Sequence, residues 1–551
     1  MNGKSHAMLI LLGFALVAVF AGIIGPVSAS NPKSAYYSDS TANVFWFIHT
    51  SDLHIGASGD RDTDNLRWLV TQARSVIAPE FIIVTGDLTD STNGNLFGYP
   101  NGPYQAEWDQ YRSIVDDQVT PDDYYDLPGN HEEYNDGDFS YYLSNSVQGR
   151  HTHNPQLSFT RTLGFGKYHF VGINTADNTG DPFSLFGPYY GDHAGLDGNE
   201  LSFIDAELAA NLDSDLTLVF GHHPLAPTGD SQDTYVYYGL NEFLGLMDFF
   251  YCPTYGYGHT HEFSEAFFNP GLTKPGFFYL NVASLGKSSS NQYSIFAIDC
   301  NGISSTTRTV GSWPVVLITA PVDRYYGNVT SPYGYDVPAS SSSPIRALAF
   351  DPGGISQMEY RIDGSPAWYP MTNTAANPRL WSAGWNSSTL TQGDHTIEVR
   401  ATNGTGVTGS NTITARVLQS QPPPQPQDHI DSLITGKYVK VKKTTTFQSG
   451  TAFYQGDTVV FRAQVMAGTA PLAGATVALS ITGPEIRSLT TGVSNSQGIA
   501  EAKWTTKAPA RRSAGTALGD YTATVTAVTA SGYTWDHATT TPQAGFFIIS
   551  R

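Results

Sequence analysis

Five short stretches carry the groups that could work on a substrate: Ser51-Asp52-Leu53-His54, Thr85-Gly86-Asp87, Gly129-Asn130-His131-Glu132, Gly221-His222-His223-Pro224 and Gly258-His259-Thr260-His261. Each follows a strand-like run and falls in a loop containing glycine or proline, where the chain can turn sharply and present side chains at a corner. In an extended segment residues i and i+2 point the same way, so the spacing predicts that Asp52 with His54, and His259 with His261, face one site. Carboxylates, imidazoles and an amide oxygen together suit first-row divalent cations such as Mn, Fe, Co, Ni and Zn. Seven such groups exceed one four-coordinate site, and one carboxylate could bridge two ions. An ion pair about 4 Å apart can clamp a phosphoryl group, activate water at neutral pH and neutralise charge developing in an in-line displacement. His223, before a proline, reads as structural, and His49, His151, His153 and His193 read as ordinary core or surface histidines.

The elements that must position these corners alternate along the first part of the chain. Residues 44–48, 81–84, 168–173 and 216–220 are short apolar runs of buried-strand type. Between and before them Leu66, Leu69, Val70, Ala73, Val76 and Ile77, and later Leu201, Ile204, Leu208 and Leu212, recur at helical spacing. Residues 43–310 therefore read as an α/β domain with helices covering sheets, a class that binds ligands at strand C-terminal ends. After Trp313 helical periodicity stops. Short β-rich runs such as 345–350 and 395–400 predict a β-sandwich over residues 313–417. Pro422-Pro423-Pro424-Gln425-Pro426 predicts a semi-rigid linker over 418–429. A second β-rich unit follows over 430–551, with 459–463 and 521–525 as strands.

A chain of 551 residues is too long for one core. Its 49 acidic and 29 basic residues leave a formal charge of −20, which makes nucleic acid a poor partner. An anionic substrate would need local attraction, which bound cations supply. Cys252 and Cys300 match no zinc spacing and leave free thiols and one disulfide both open. Lys4 and His6 precede an apolar run over 7–24, and Val27-Ser28-Ala29 offers a small-residue cleavage site. This predicts a signal peptide over residues 1–29, with a retained anchor as the alternative, and an extracellular or cell-surface location. No later stretch is long and apolar enough to span a bilayer.

Taken in order, the five motifs resemble the calcineurin-like metallophosphoesterases, whose pattern is D-x-H, GD, GNH[DE], GHx and GHxH, over roughly residues 43–300. The resemblance implies a four-layer α/β/β/α sandwich, followed here by two all-β immunoglobulin-like sandwiches. It implies two divalent ions, the first held by Asp52, His54 and His261, the second by Asn130, His222 and His259, with Asp87 bridging. A hydroxide on the two ions would be the nucleophile, and His131 would stabilise phosphoryl oxygens and assist the leaving group. Asp126 and Glu132 would orient neighbours from behind. Purple acid phosphatases carry a tyrosine where Asp90 stands and lack the histidine present as His54, so a tyrosinate–iron centre is not expected. The run from Gly86 to Asp90, and that from Asp126 to His131, are similar to the branch containing transmembrane protein 62, in which an immunoglobulin-like region follows.

The expectation is an exported metal-dependent phosphoesterase hydrolysing a phosphomonoester or phosphodiester of nucleotide, sugar or lipid origin, with the Ig-like domains contacting a surface or glycan. The alternative is a surface adhesion or binding protein that keeps the same fold as a scaffold without turnover. The loops at 90–105 and 174–198, which would select the substrate, have no readable code. Phe97, Tyr99, Tyr104, Trp108, Phe183, Tyr189 and Tyr190 in or beside them are expected to pack the loops rather than stack on a ligand.

Overall fold

Alternate residues of the first strand face two different cores, and that alternation sets the architecture. The computed structural model describes residues 34–550 except 39, 58–60, 93–101, 177–193, 227–234, 288–289, 375–376, 420–426, 442–443, 469, 512, 532 and 537–541. The signal segment, the proline run at 422–426, His193, Phe97, Tyr99, Phe183, Tyr189 and Tyr190 lie outside the described residues. Among the described residues, eleven strands build the first domain. They are β1 (Val44–Thr50), β2 (Ile82–Thr85), β3 (Tyr124–Leu127), β4 (Leu157–Leu163), β5 (Gly166–Gly172), β6 (Leu216–Phe220), β7 (Thr254–Tyr257), β8 (Ser264–Phe268), β9 (Phe277–Asn281), β10 (Gln292–Asp299) and β11 (Gly302–Thr309). One sheet has the order β11-β10-β1-β2-β3 and the other β4-β5-β6-β7-β9-β8.

Phe45 and Phe47 of β1 join Phe81, Ile83, Phe170, Leu218 and Phe220 in a core between the two sheets. Trp46 and Ile48 point the other way. They meet Leu66, Leu69, Val70, Ala73 and Ile77 of helix α1, which runs as Asp62–Trp68, a π turn at Leu69–Ala73, then Arg74–Ile77. Trp108, Tyr111 and Ile114 of α2 (Gln105–Val115) complete that layer. On the far face, Val171, Val219 and Tyr255 pack on Ile204 and Leu208 of α3 (Gly198–Ala210) and on Phe243, Leu244 and Met247 of α4 (Leu240–Phe250). The layers are α/β/β/α, as the resemblance implied.

The same alternation continues beyond residue 313. Val316 and Ile318 face the interior of a β-sandwich with Ile345, Ala347, Ile397, Val399 and Ile413. Val315 and Leu317 turn outward with Leu348, Phe350 and Leu380 and enter the core around Trp46 and α1. One sheet of this sandwich orders Val315–Ala320, Ser343–Phe350, Asn377–Trp385 and Thr372–Thr374; the other orders Val337–Pro338, Thr408–Leu418, Gly393–Asn403, Ile355–Ile362 and Tyr369–Pro370. A buried ion pair crosses the same seam. Arg346 donates from Nε and Nη2 to the two carboxylate oxygens of Asp299 at 2.8 and 2.9 Å, and Thr319 donates to Asp299 at 2.7 Å.

Arg379 also reaches across, donating to the carbonyls of Val76 (2.7 Å) and Ser75 (3.1 Å) at the end of α1, where carbonyls lack helical partners. Arg379→Ala removes both contacts from partly exposed positions and is expected to cost about 1–2 kcal/mol. Urea unfolding followed on the first domain should show it. A midpoint equal to wild type would mean that the seam does not support α1.

Residues 421–551 form a separate unit. Its two sheets pair Gln427–Val441 with Thr444–Ser449 and Thr458–Ala467, and Gly519–Thr529 with Thr476–Thr482 and Gln543–Ile549. Val459, Phe461, Val477, Leu479, Tyr521 and Phe546 lie in its core. Cys252 and Cys300 are both buried and free, so the disulfide alternative falls. Among the described residues no helix is long and apolar enough to cross a membrane.

Candidate metal centre

The five chemical stretches sit at strand C-terminal ends along the line where the two sheets meet. The loops after β1, β2 and β3 come from three adjacent parallel strands, and those after β6 and β7 from a parallel pair in the other sheet. Main-chain bonds lock neighbouring loops together: Asp52 N–H donates to Gly86, His54 N–H to Asp87, and Gly258 N–H to the His222 carbonyl. Two glycines allow the close approach. A Cβ at Gly129 would lie 2.2 Å from Asp87 Oδ1, and one at Gly258 would lie 1.9 Å from Ser51 Oγ.

The paired spacings do converge, but not through extended backbone. Asp52 and His54 have φ of 54° and 47°, and His259 and His261 have φ of 70° and 59°, all in the left-handed region; Asp87 joins them at 52°. The i, i+2 reasoning from strand geometry is corrected accordingly. Each strand has already ended, and successive tight turns aim the side chains. Left-handed backbone at a non-glycine residue costs about 1–3 kcal/mol and persists only where its surroundings enforce it.

Two clusters result. In the first, His54 Nε2 lies 3.0 Å from His261 Nε2, 3.5 Å from Asp87 Oδ2 and 3.9 Å from Asp52 Oδ1, while His261 Nε2 is 3.4 Å from Asp52 Oδ1. In the second, Asn130 Oδ1 lies 3.0 Å from both His222 Nε2 and His259 Nδ1, and His222 Nε2 is 3.3 Å from Asp87 Oδ1. Asp87 faces one cluster with each oxygen. His131 stands beside both: its N–H donates to Asp87 Oδ1 at 3.1 Å, its Nε2 is 3.9 Å from Asp87 Oδ2, and its Nδ1 meets the Asp90 carbonyl.

The donor chemistry fits cations. His222 Nδ1 is 2.6 Å from the carbonyl oxygen of Thr85, which can only accept, so Nδ1 carries the hydrogen. Nε2 of the neutral ring then turns a lone pair toward Asn130 Oδ1 and Asp87 Oδ1, an all-acceptor arrangement that a positive charge must relieve. Burial and neighbouring charges act on the same groups. Burial works against a charge on His222, yet Asp87 and Asp52 raise it to about 9. Burial and the neighbouring His222 push His259 down to about 3, and burial with His131 pushes His54 down to about 4. Burial would raise Asp52, but His261 and His222 hold it at about 2.

The other sequence candidates separate cleanly. Glu132 accepts from the N–H groups of Leu88 (2.9 Å), Thr89 (3.0 Å) and Gly129 (2.8 Å), tying the loop after Asp87 to the Asn130-His131 corner. Asp126 touches none of the clustered groups; it accepts from Tyr111 Oη and from the N–H groups of Val147 and Gln148. His49 is buried against Thr85, and His151 and His153 are exposed. Trp108 is core, packed on Tyr111, as the loop-packing expectation had it. His223, read as structural, bonds Thr175 through Nδ1 at 3.0 Å, but its ring also lies 4.5 Å from that of His259 and its buried Nε2 has no hydrogen-bond partner among the described residues. Three neighbours went unmarked in the sequence reading: Asp90 as a contact of His54 (3.2 Å), Lys287, and Tyr134, which accepts from Asn130 Nδ2 at 2.8 Å. For Asp90 there was a signal, its place three residues after Asp87.

Comparison with known proteins defines the class. Residues 45–263 match the calcineurin-like phosphoesterase family and residues 314–399 match the bacterial Ig domain. The first domain is thus a calcineurin-like phosphoesterase domain, with a mostly β, Ig-like region after it. The chain is 25% identical over 416 residues to transmembrane protein 62 of Mus musculus, covering 71% of this chain and 60% of that protein. It is 24% identical over 418 residues to a candidate metallophosphoesterase of Arabidopsis thaliana, covering 65% of this chain and 54% of that one. The chain therefore spans less than two thirds of the length of these relatives. Among solved structures, a dimetal phosphatase from Danio rerio shares 15% identity, covering 48% of this chain and 96% of that one, with a TM-score of 0.38.

Proposed function

We propose that this protein is an exported, dinuclear metal-dependent phosphoesterase. The observation that carries the reading is Asp87, whose two carboxylate oxygens face separate clusters of bare imidazole and amide donors. Asp52, His54 and His261 would hold one divalent cation, Asn130, His222 and His259 the other, and Asp87 both. Two such cations supply activation of water at neutral pH and neutralisation of phosphoryl charge. His131 is fixed through Nδ1, which carries its hydrogen toward the Asp90 carbonyl, so Nε2 is the nitrogen left for substrate, an acceptor in the neutral ring and a proton donor to a departing oxygen in the imidazolium form. Export rests on the N-terminal apolar run and its small-residue site alone. The Ig-like sandwiches would present the domain at a surface or contact glycan.

Purification of the full chain with Mn²⁺, followed by assay on p-nitrophenyl phosphate and bis-p-nitrophenyl phosphate, tests this. Two bound ions with turnover that EDTA abolishes are expected, and the preferred ester sets monoesterase or diesterase. Turnover surviving chelation would sink the metal reading. Two ions without turnover on any phosphate ester would leave the scaffold alternative in its place.

A further inference from the structure

The chain contains three Asn-X-Ser/Thr triplets, and all lie in the first β-sandwich: Asn328-Val329-Thr330, Asn386-Ser387-Ser388 and Asn403-Gly404-Thr405. In an exported chain such a triplet is the acceptor for N-linked glycan. The reacting atom is the amide nitrogen, Nδ2, and the fold treats the three nitrogens differently. Asn328 stands at the tip of a hairpin that pairs Tyr325–Tyr326 with Val329–Thr330. Its loop is Gly327 and Asn328, with φ of 54° and 65°, the left-handed pair of a type I′ turn. Gly327 lies against the main chain of Glu265 and Ala266, whereas Asn328, Val329 and Thr330 are exposed. Asn386 is exposed just before a short 3-10 turn (Ser387–Thr389). Its Oδ1 accepts at 2.6 Å from the Ser388 hydroxyl, the third-position group that the triplet requires. Neither Nδ2 meets an acceptor among the described residues.

Asn403 is held at both ends of its amide. Nδ2 donates to Asp351 Oδ2 at 3.0 Å, and Oδ1 accepts from the N–H groups of Thr405 (3.0 Å) and Val407 (2.9 Å) and from Thr405 Oγ1 (2.9 Å). These bonds build the turn that joins Gly393–Asn403 to Thr408–Leu418, so a transferase could engage this nitrogen only by dismantling the turn. We propose that Asn328 and Asn386 are N-glycosylation sites and that Asn403 is not, its nitrogen being committed to Asp351. The inference rests on export and is independent of the metal centre. In the transfer, Nδ2 bonds to the anomeric carbon of a saccharide carried as a lipid diphosphate ester. The bond from that carbon to the diphosphate oxygen breaks, its electron pair leaves with the lipid diphosphate, and one amide hydrogen passes as a proton to the transferase.

Secretion of the full chain from a eukaryotic host, with mass spectrometry of its peptides before and after peptide-N-glycosidase treatment, tests this. Asn328 and Asn386 are expected to carry glycan in most molecules and Asn403 in few. Thr330→Val and Ser388→Ala, each removing a third-position hydroxyl, should abolish glycan at the asparagine two residues before and leave the other site occupied. Asp351→Ala frees Nδ2 of Asn403 and should raise its occupancy severalfold. A secreted chain bare at Asn328 and Asn386 overturns the proposal, as does wild-type glycan at Asn403 in as many molecules as at those two. An Asn403 that stays bare in a folded, secreted Asp351→Ala chain overturns the role given to Asp351. If that variant fails to fold, the contrast between Asn403 and the other two sites in the wild-type chain decides. A wild-type chain that never leaves the cell overturns export, and the glycan with it.

Discussion

Asp87→Asn is expected to lower kcat/KM about 10³-fold or more and to strip bound metal from both sites. The substitution keeps the shape of the side chain and one oxygen. It removes the negative charge that both clusters share and turns an NH₂ group toward one of them. Asp87 Oδ1 is 3.3 Å from His222 Nε2 and Oδ2 is 3.5 Å from His54 Nε2, so whichever way the amide sits, a donor faces an imidazole lone pair. Metal ions supply several kcal/mol of transition-state stabilisation, and each 1.36 kcal/mol is about tenfold in rate. The measurement is metal content per chain together with kcat/KM on the better p-nitrophenyl ester. A variant that keeps two ions and loses less than about tenfold would show that Asp87 does not join the two sites.

His131→Ala should behave differently, with metal content unchanged and turnover down about 10²–10⁴-fold. Its ring packs edge-on against that of His54 at 4.5 Å, but Nδ1 is committed to the Asp90 carbonyl and Nε2 stands 3.9 Å from Asp87. The loss should be larger for an alkyl phosphate than for p-nitrophenyl phosphate, because an alkoxide needs a proton and p-nitrophenolate hardly does. Loss of bound metal in this variant would make His131 a ligand. An equal loss on both esters would remove proton donation from its role and leave charge stabilisation.

Much of this was legible because the first domain obeys local rules. Strand runs such as 44–48 and 216–220 appear as β1 and β6, and the 3.6-residue spacing from Leu66 to Ile77 appears as α1. Glycine-marked corners after strands located the chemistry. What the sequence could not show is how Asp52, His54, His259 and His261 turn inward, since left-handed backbone at a bulky residue is enforced from outside by the loops bonded to it. Lys287 follows β9 in a stretch with no chemical motif, and only the fold brings it 2.8 Å from Asp90. Nor does strand pattern announce that Val315 and Leu317 leave their own sandwich to fill the core over α1. That pairing is decided by shape across 250 residues of chain, roughly, and not by any local propensity.

The left-handed residues of the centre also bear on what this lineage can become. At Asp52, His54, Asp87, His259 or His261 a glycine would sit without the steric penalty that a Cβ incurs there. Exchange of a ligand for glycine therefore relieves strain while it destroys the chemistry, the usual opposition between stability and activity. All five left-handed candidate ligands stand in this chain, so its native state carries their conformational burden.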